Sequence, residues 1–155
     1  MTLYRLSGKQ YAKAIGVGIA TSAILSAIMV TGLKTGVSPM PAPVALVFGQ
    51  TLLGREVPLP VGLLFHVAWV TLWSVIYVCL FWGDLSLRRA VGLGAFLLAL
   101  VLVVFYPFIG WGFLGLAIGP KVILGALVTH ALFAIVLWTL AHWTFGTHSE
   151  AARQL

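Results

Sequence analysis

The stretch VPLPVGLLFHVAWVTLWSVIYVCLFWG, residues 57–83, contains no charged side chain and decides the fold class. A helix crosses about 30 Å of hydrocarbon with about 20 apolar residues. These 27 residues are therefore enough for one crossing and too few for two. Three further uncharged windows, 14–33, 90–120 and 122–149, meet the same criterion. Because all four windows are continuous apolar runs rather than short alternating segments, they predict helices and not the strands of a barrel.

We predict an all-α integral membrane protein, a four-helix bundle with spans at about 13–33, 60–82, 89–109 and 122–145. The composition agrees, since 61% of the residues are hydrophobic and 8% are charged. Soluble domains are about 45–50% apolar and about 25% charged. The composition therefore excludes a soluble globular enzyme and a disordered chain. The segments between the spans are too short for a further domain, so residues 1–155 are predicted to form a single transmembrane domain.

The first connection between spans is expected to carry a short interfacial helix. The ten residues between Pro43 and Gly54 read VALVFGQTLL, which is too short to cross a bilayer. Proline at a helix start and glycine just after a helix end are typical boundary residues. We expect this helix to lie over the outer end of the bundle as a cap.

The segment 107–120 is the second unusual connection. Pro107 removes a backbone donor, so it is expected to kink or end the third span. The glycines at 110, 112, 115 and 119 make a regular helix unfavourable there. Two interpretations stay open: an ordinary connection at the membrane interface, or a re-entrant turn that lines a ligand or ion site.

The basic residues predict the orientation. With four spans, both termini share one side of the membrane. That side would hold Arg5, Lys9, Lys13, Arg88, Arg89 and Arg153, and the other would hold Lys34, Arg55 and Lys121. The positive-inside rule then places both termini in the cytoplasm. This bias accounts for the net charge of +6, and no basic surface is long enough to follow a nucleic-acid backbone.

A stripe of small residues runs along the first span. Gly18, Ser22 and Ser26 recur every four residues, which places them on one helix face. Small residues let two membrane helices approach closely. The stripe therefore predicts a helix-packing face, whose partner is a helix of this chain or of another one.

An aromatic stripe runs along the second span. Trp69, Trp73, Tyr77 and Phe81 are each four residues apart, and His66 precedes Trp69 by three. Helical spacing places all five on one side. One interpretation is a ridge that packs on protein or faces lipid. The other is a surface, formed by His66, Trp69, Trp73 and Tyr77, that holds a flat cofactor or a quinone.

His66 and His130 are predicted to lie at similar depth on two different helices. An ionisable side chain inside a membrane is a functional hypothesis by default. Two facing histidines can ligate the iron of haem b. The other interpretation is a pair of neutral imidazoles bonded to neighbouring helices. No metal site and no catalytic residue is predicted, since a third ligand is missing and the three carboxylates lie outside the spans.

Three short motifs bring a resemblance. They are LLFH at 63–66, YPFIGWGF at 106–113 and THALF at 129–133. Over about residues 40–145 the chain resembles a family of small, uncharacterised four-helix inner-membrane proteins of prokaryotes. The resemblance implies a four-span architecture in a prokaryotic inner membrane, and it brings no established activity.

The sequence is compatible with three functional hypotheses. The leading hypothesis is a non-catalytic accessory or structural subunit that packs against other membrane proteins or against itself. The alternative is a haem- or quinone-site subunit of a membrane redox complex that uses His66 and His130. A further alternative is an oligomeric carrier of a small solute or ion, with the 107–120 turn along its path.

Overall fold

The computed structural model describes the backbone of residues 6–152 and the side chains of residues 6–146. Its helices are α1 (Gly8–Lys34), α2 (Val44–Leu53), α3 (Leu59–Phe81), α4 (Leu87–Phe108) and α5 (Lys121–Ala152). All except α2 are long and apolar enough to cross a membrane, and the described part of the chain has no β-strand. The prediction of an all-helical, multi-pass membrane protein with four spans and one shorter helix is confirmed.

The ends of α2 coincide with the residues that the sequence marked. Pro43 precedes the first residue of the helix in an extended conformation. Gly54 follows the last residue with φ of 63°, a left-handed conformation that glycine adopts without strain. Both ends of α2 therefore fall where local backbone chemistry predicts them.

The fourth helix continues past Pro107, but its hydrogen bonding changes just before the proline. Residues Val101–Phe105 form a π-helical turn, in which the N–H of Tyr106 donates to the carbonyl of Val101. A π turn widens the helix locally and rotates the side chains that follow it. The helix then ends at Phe108, where the N–H of Ile109 donates to the Phe105 carbonyl at 3.0 Å.

One end of the bundle is tightly packed, and we call it the closed end. It brings together the beginnings of α1 and α4 with the ends of α3 and α5. The buried side chains there include Ala14, Trp82, Ala90 and Phe145. The predicted placement of this end in the cytoplasm stays a prediction, and Arg5 and Arg153 of that charge count lie outside the described residues.

The tightest pairing of spans joins α1 to α3. A Cβ added to Gly18 would lie 2.6 Å from the Cα of Thr71, so only glycine allows the two backbones to come this close. The other main pairs are α4 with α5 and α1 with α5, whereas α3 packs little against α4 and hardly touches α5. The backbone of α3 therefore packs mainly on α1 and α2, and it meets α4 and α5 mostly through side chains.

The opposite end, which we call the cap end, is covered by α2. This helix packs on α3, where a Cβ on Gly62 would lie 2.6 Å from the Cα of Leu46. The ring of Phe48 lies 5.7 Å from the ring of Phe65 on α3 and 5.2 Å from that of Phe105 on α4. The predicted interfacial helix therefore bridges α3 and α4 where their backbones separate.

The segment 107–120 folds back onto the start of α5. The N–H of Trp111 donates to the Tyr106 carbonyl at 2.8 Å, and Trp111 is buried beside Val122 and Ala126. Leu114 adopts φ of 58°, which is uncommon for a residue with a side chain. The segment closes the cap end beside α2.

The glycine contact between α1 and α3 is tested with a matched pair of substitutions. Gly18→Ala places a methyl group against Thr71, whereas at Gly16 no heavy atom of the described residues lies within 4 Å of an added Cβ. Both changes alter helix propensity equally, so their difference isolates the packing term. We expect Gly18→Ala to lower the free energy of unfolding by about 1–3 kcal/mol relative to Gly16→Ala. Equal unfolding free energies in lipid or detergent micelles would contradict this packing.

Candidate functional site

A cavity of about 820 Å³ occupies the space between α3 on one side and α4 and α5 on the other. It lies beneath α2 in the half of the bundle nearest the cap end. Apolar side chains dominate its lining, among them Leu25, Val70, Leu97, Val101 and Phe133. Ligand pockets of about 300–1,000 Å³ with mostly apolar walls and a few polar groups are typical of small-molecule sites.

Both histidines that the sequence singled out line this cavity. On α3, His66 Nδ1 lies 2.8 Å from the hydroxyl oxygen of Ser26 on α1, which is hydrogen-bonding distance. The same small-residue stripe therefore supplies the Gly18 contact and the partner of His66. Gly18 and Ser22 are buried along this face, and Ser26 is half-buried.

The ring of His130 is oriented by its own helix. Its Nδ1–H donates to the carbonyl oxygen of Ala126 at 2.7 Å. A carbonyl oxygen can only accept, so the hydrogen must be on Nδ1, and a neutral ring then keeps a lone pair on Nε2. Within the described residues, Nε2 of neither His66 nor His130 makes a hydrogen bond. Each histidine is thus held by one nitrogen and keeps the other for a further contact.

Trp69 and Trp73 also line the cavity, and their rings connect α3 with α4. Trp69 lies 5.0 Å from Phe105, and Trp73 lies 5.6 Å from Phe96, measured between ring centroids. Edge-to-face contacts at these distances are favourable aromatic pairs. The rings close the gap between the two helices where the backbones do not pack.

Tyr77, the last residue of the predicted cofactor surface, lies elsewhere. It is fully buried at the closed end, and its hydroxyl donates to the backbone carbonyl of Ser86 at 3.0 Å. It does not line the cavity. The structure therefore brings together His66, His130, Trp69 and Trp73 and leaves Tyr77 as a link between α3 and the turn that leads to α4.

Two further lining residues were not identified from the sequence as candidates for the site. Tyr106, at the end of the π turn, is fully buried, and its hydroxyl has no hydrogen-bond partner among the described residues. Lys121, the first residue of α5, is exposed and is the one charged side chain in the lining. No residue of 107–120, all of which the structure describes, lines the cavity. The sequence signal nearest to Tyr106 is the next residue, Pro107, which predicted a kink or an end of the helix at that point.

The described residues include no group of three or more histidine, cysteine, aspartate or glutamate side chains that could hold a metal ion. Comparison of the chain with protein-family models, with curated proteins and with solved structures found no match. The resemblance across residues 40–145 stays a prediction about architecture.

The orientation of His130 gives a spectroscopic prediction. Because its Nδ1–H donates to a carbonyl, ¹⁵N NMR of histidine-labelled protein should show a neutral His130 as the Nδ1–H tautomer. The His130→Gln variant assigns the signal by removing it. His142, an exposed residue on the same helix, is the internal reference. An unprotonated Nδ1 on His130 would rule out this hydrogen bond.

Proposed function

We propose that the protein is a non-catalytic subunit of a membrane complex that holds an apolar ligand of the quinone class in its cavity. The observation that carries the proposal is an apolar cavity of about 820 Å³, within the membrane-spanning region, with two anchored imidazoles in its wall. Polar groups that converge on an apolar cavity are the usual pattern of a small-molecule site.

The chemistry of the lining suits a flat ring that carries oxygen atoms. Trp69 and Trp73 offer aromatic faces and edges to such a ring. A neutral His130 accepts at Nε2, and His66 donates or accepts there according to its tautomer. The pair can therefore bind both carbonyl and hydroxyl oxygens, which a quinone presents in its oxidised and reduced forms.

We assign the protein the role of a subunit because a bound quinone needs a redox partner. Electron transfer to a quinone requires a redox partner, which the proposal assigns to another protein of the complex. On the outward side of α1, Ala12 and Gly16 are exposed, and the space beside Gly16 is open. Small residues on an outward face permit the close approach of a neighbouring membrane helix. The accessory role and the ligand site are thus two parts of one proposal.

Binding of a short-chain benzoquinone and of its hydroquinone to the purified protein in nanodiscs tests the ligand site. Because Nε2 of a neutral His130 carries only a lone pair, it can accept from a hydroquinone hydroxyl and cannot donate to a quinone carbonyl. We expect His130→Leu to raise the Kd of the hydroquinone and His66→Leu to raise the Kd of the quinone, each about two- to tenfold, since one hydrogen bond contributes about 0.5–1.5 kcal/mol. His142→Leu is the matched control, because His142 lies on α5 outside the cavity and stacks on Trp138. Thermal unfolding of each variant checks that the fold is retained.

The proposal fails if the wild-type protein binds neither the quinone nor the hydroquinone, or if all three histidine variants bind both forms equally well. Native co-purification tests the accessory role separately. Mild detergent extraction should recover the chain with other membrane proteins, and a chain recovered alone would contradict that part of the proposal.

Haem is the second candidate ligand, favoured by the pattern of the histidine hydrogen bonds. Metal-ligating histidines commonly donate the second ring N–H to an oxygen, which leaves the other nitrogen for the metal. His66 and His130 would hold the iron through Nε2, and Lys121 is the cation in the lining that would pair with a propionate. A bound haem would supply one-electron chemistry.

A visible spectrum decides between these ligands. If haem occupies the cavity, protein that is purified after haem supplementation should show a Soret band, and His130→Leu should abolish it. The exposed His142→Leu variant should keep the band. A spectrum without a Soret band would remove haem as a candidate and would leave the quinone proposal in place.

A further inference from the structure

Four buried side-chain donors have no acceptor among the described residues. Two of them, the hydroxyl of Tyr106 and the indole Nε1–H of Trp73, belong to residues that line the cavity, whereas Thr21 and Thr71 do not line it. Tyr106 has no exposed surface, and the nitrogen of Trp73 is buried although its ring is half-buried. Buried tyrosine and tryptophan usually place their polar atom against a partner. An unpaired buried donor opposes folding, so each of these atoms requires an explanation.

Tyr77 shows how the same chain treats a buried tyrosine away from the cavity. It is as fully buried as Tyr106, and its hydroxyl donates to the Ser86 carbonyl. The two tyrosines therefore differ in their partner and not in their burial. The tyrosine that lines the cavity is the one without a protein acceptor.

The ring of Tyr106 is held in place on several sides. The π turn Val101–Phe105 immediately precedes it, and Trp111 packs against it at 5.1 Å between ring centroids. Gly115 has φ of 79°, and a Cβ there would lie 2.8 Å from Tyr106 Cδ2. A ring confined in this way is already ordered, so its ordering adds little to the entropy lost when a ligand binds.

We propose that Tyr106 and Trp73 are ligand-binding residues that donate hydrogen bonds to oxygen atoms of the bound molecule. This inference rests on the proposed function and narrows its ligand. Tryptophan can only donate, so the ligand must carry an acceptor for Trp73 and a second one for Tyr106. The two donors come from α3 and from the end of α4, on the two sides of the gap that the cavity fills. The ligand is thus an apolar molecule with two acceptor oxygens, such as the two carbonyls of a quinone, and not a plain hydrocarbon.

The experiment compares two probes and four proteins in nanodiscs. The probes are a short-chain benzoquinone and a hydrocarbon with the same isoprenoid tail and no ring oxygen. The proteins are the wild type, Tyr106→Phe, Trp73→Phe and the matched control Tyr77→Phe. We expect Tyr106→Phe and Trp73→Phe each to weaken quinone binding about two- to tenfold, the range for one lost hydrogen bond. Tyr77→Phe should bind as the wild type does, and the hydrocarbon should not distinguish the four proteins.

Thermal unfolding without ligand gives a second readout that a purely structural tyrosine would not produce. Tyr106→Phe removes an unpaired hydroxyl, so its Tm should stay equal to the wild-type value or rise. Tyr77→Phe removes a paired hydroxyl, so its Tm should fall. The stabilisation that added quinone gives should be smaller in Tyr106→Phe than in the wild type.

The outcomes separate the two proposals. If the wild type binds no quinone, this inference falls, and the proposed function falls with it unless the hydroquinone binds. If the wild type binds quinone and Tyr106→Phe and Trp73→Phe bind it equally tightly, the proposed function stands and this inference is overturned. A Tm that falls as much for Tyr106→Phe as for Tyr77→Phe also overturns it, because the hydroxyl would then be paired in the ligand-free protein.

Discussion

The close approach of α1 and α3 at Gly18 is the contact on which the rest of the structure depends. Lipid tails are as apolar as the helices, so burial from water does not drive membrane helices together, and close van der Waals packing has to hold them. Gly18 allows that packing against Thr71. On the other side of the bundle, α4 and α5 make a similar contact, where a Cβ on Gly94 would lie 3.0 Å from the His130 carbonyl. The cavity is the space between these two helix pairs.

The sequence predicted the features of the fold that depend on neighbouring residues alone, namely the spans and the helix ends. The lengths of the uncharged windows set the four spans, and Pro43 and Gly54 set the ends of α2. It could not predict which helix faces meet, because that depends on packing between distant segments. The partner of His66 is an example. Ser26 belonged to a stripe that was interpreted as a packing face, and the hydrogen bond to it emerges only once α1 lies against α3.

Periodicity alone also placed too many residues in the site. Helical spacing aligns Tyr77 with Trp69 and Trp73, yet Tyr77 lies 11 residues beyond His66, which is about 16 Å along the helix axis. At that depth α3 has reached the packed end of the bundle, and Tyr77 bonds to the turn before α4. In the other direction, the π turn placed Tyr106 in the cavity wall. Pro107 predicted a disturbance of the helix, but the sequence could not predict that the disturbance would be a π turn.

The cavity combines a mostly apolar wall with a few polar atoms that have no partner among the described residues. A structure of the protein determined in a lipid bilayer with a short-chain quinone tests this combination most directly. The predicted result is density for the quinone ring between α3 and α4, with one oxygen within hydrogen-bonding distance of the Tyr106 hydroxyl. The contradicting result is a bundle in which α3 packs directly on α4 and α5, so that side chains fill the space and the quinone lies elsewhere.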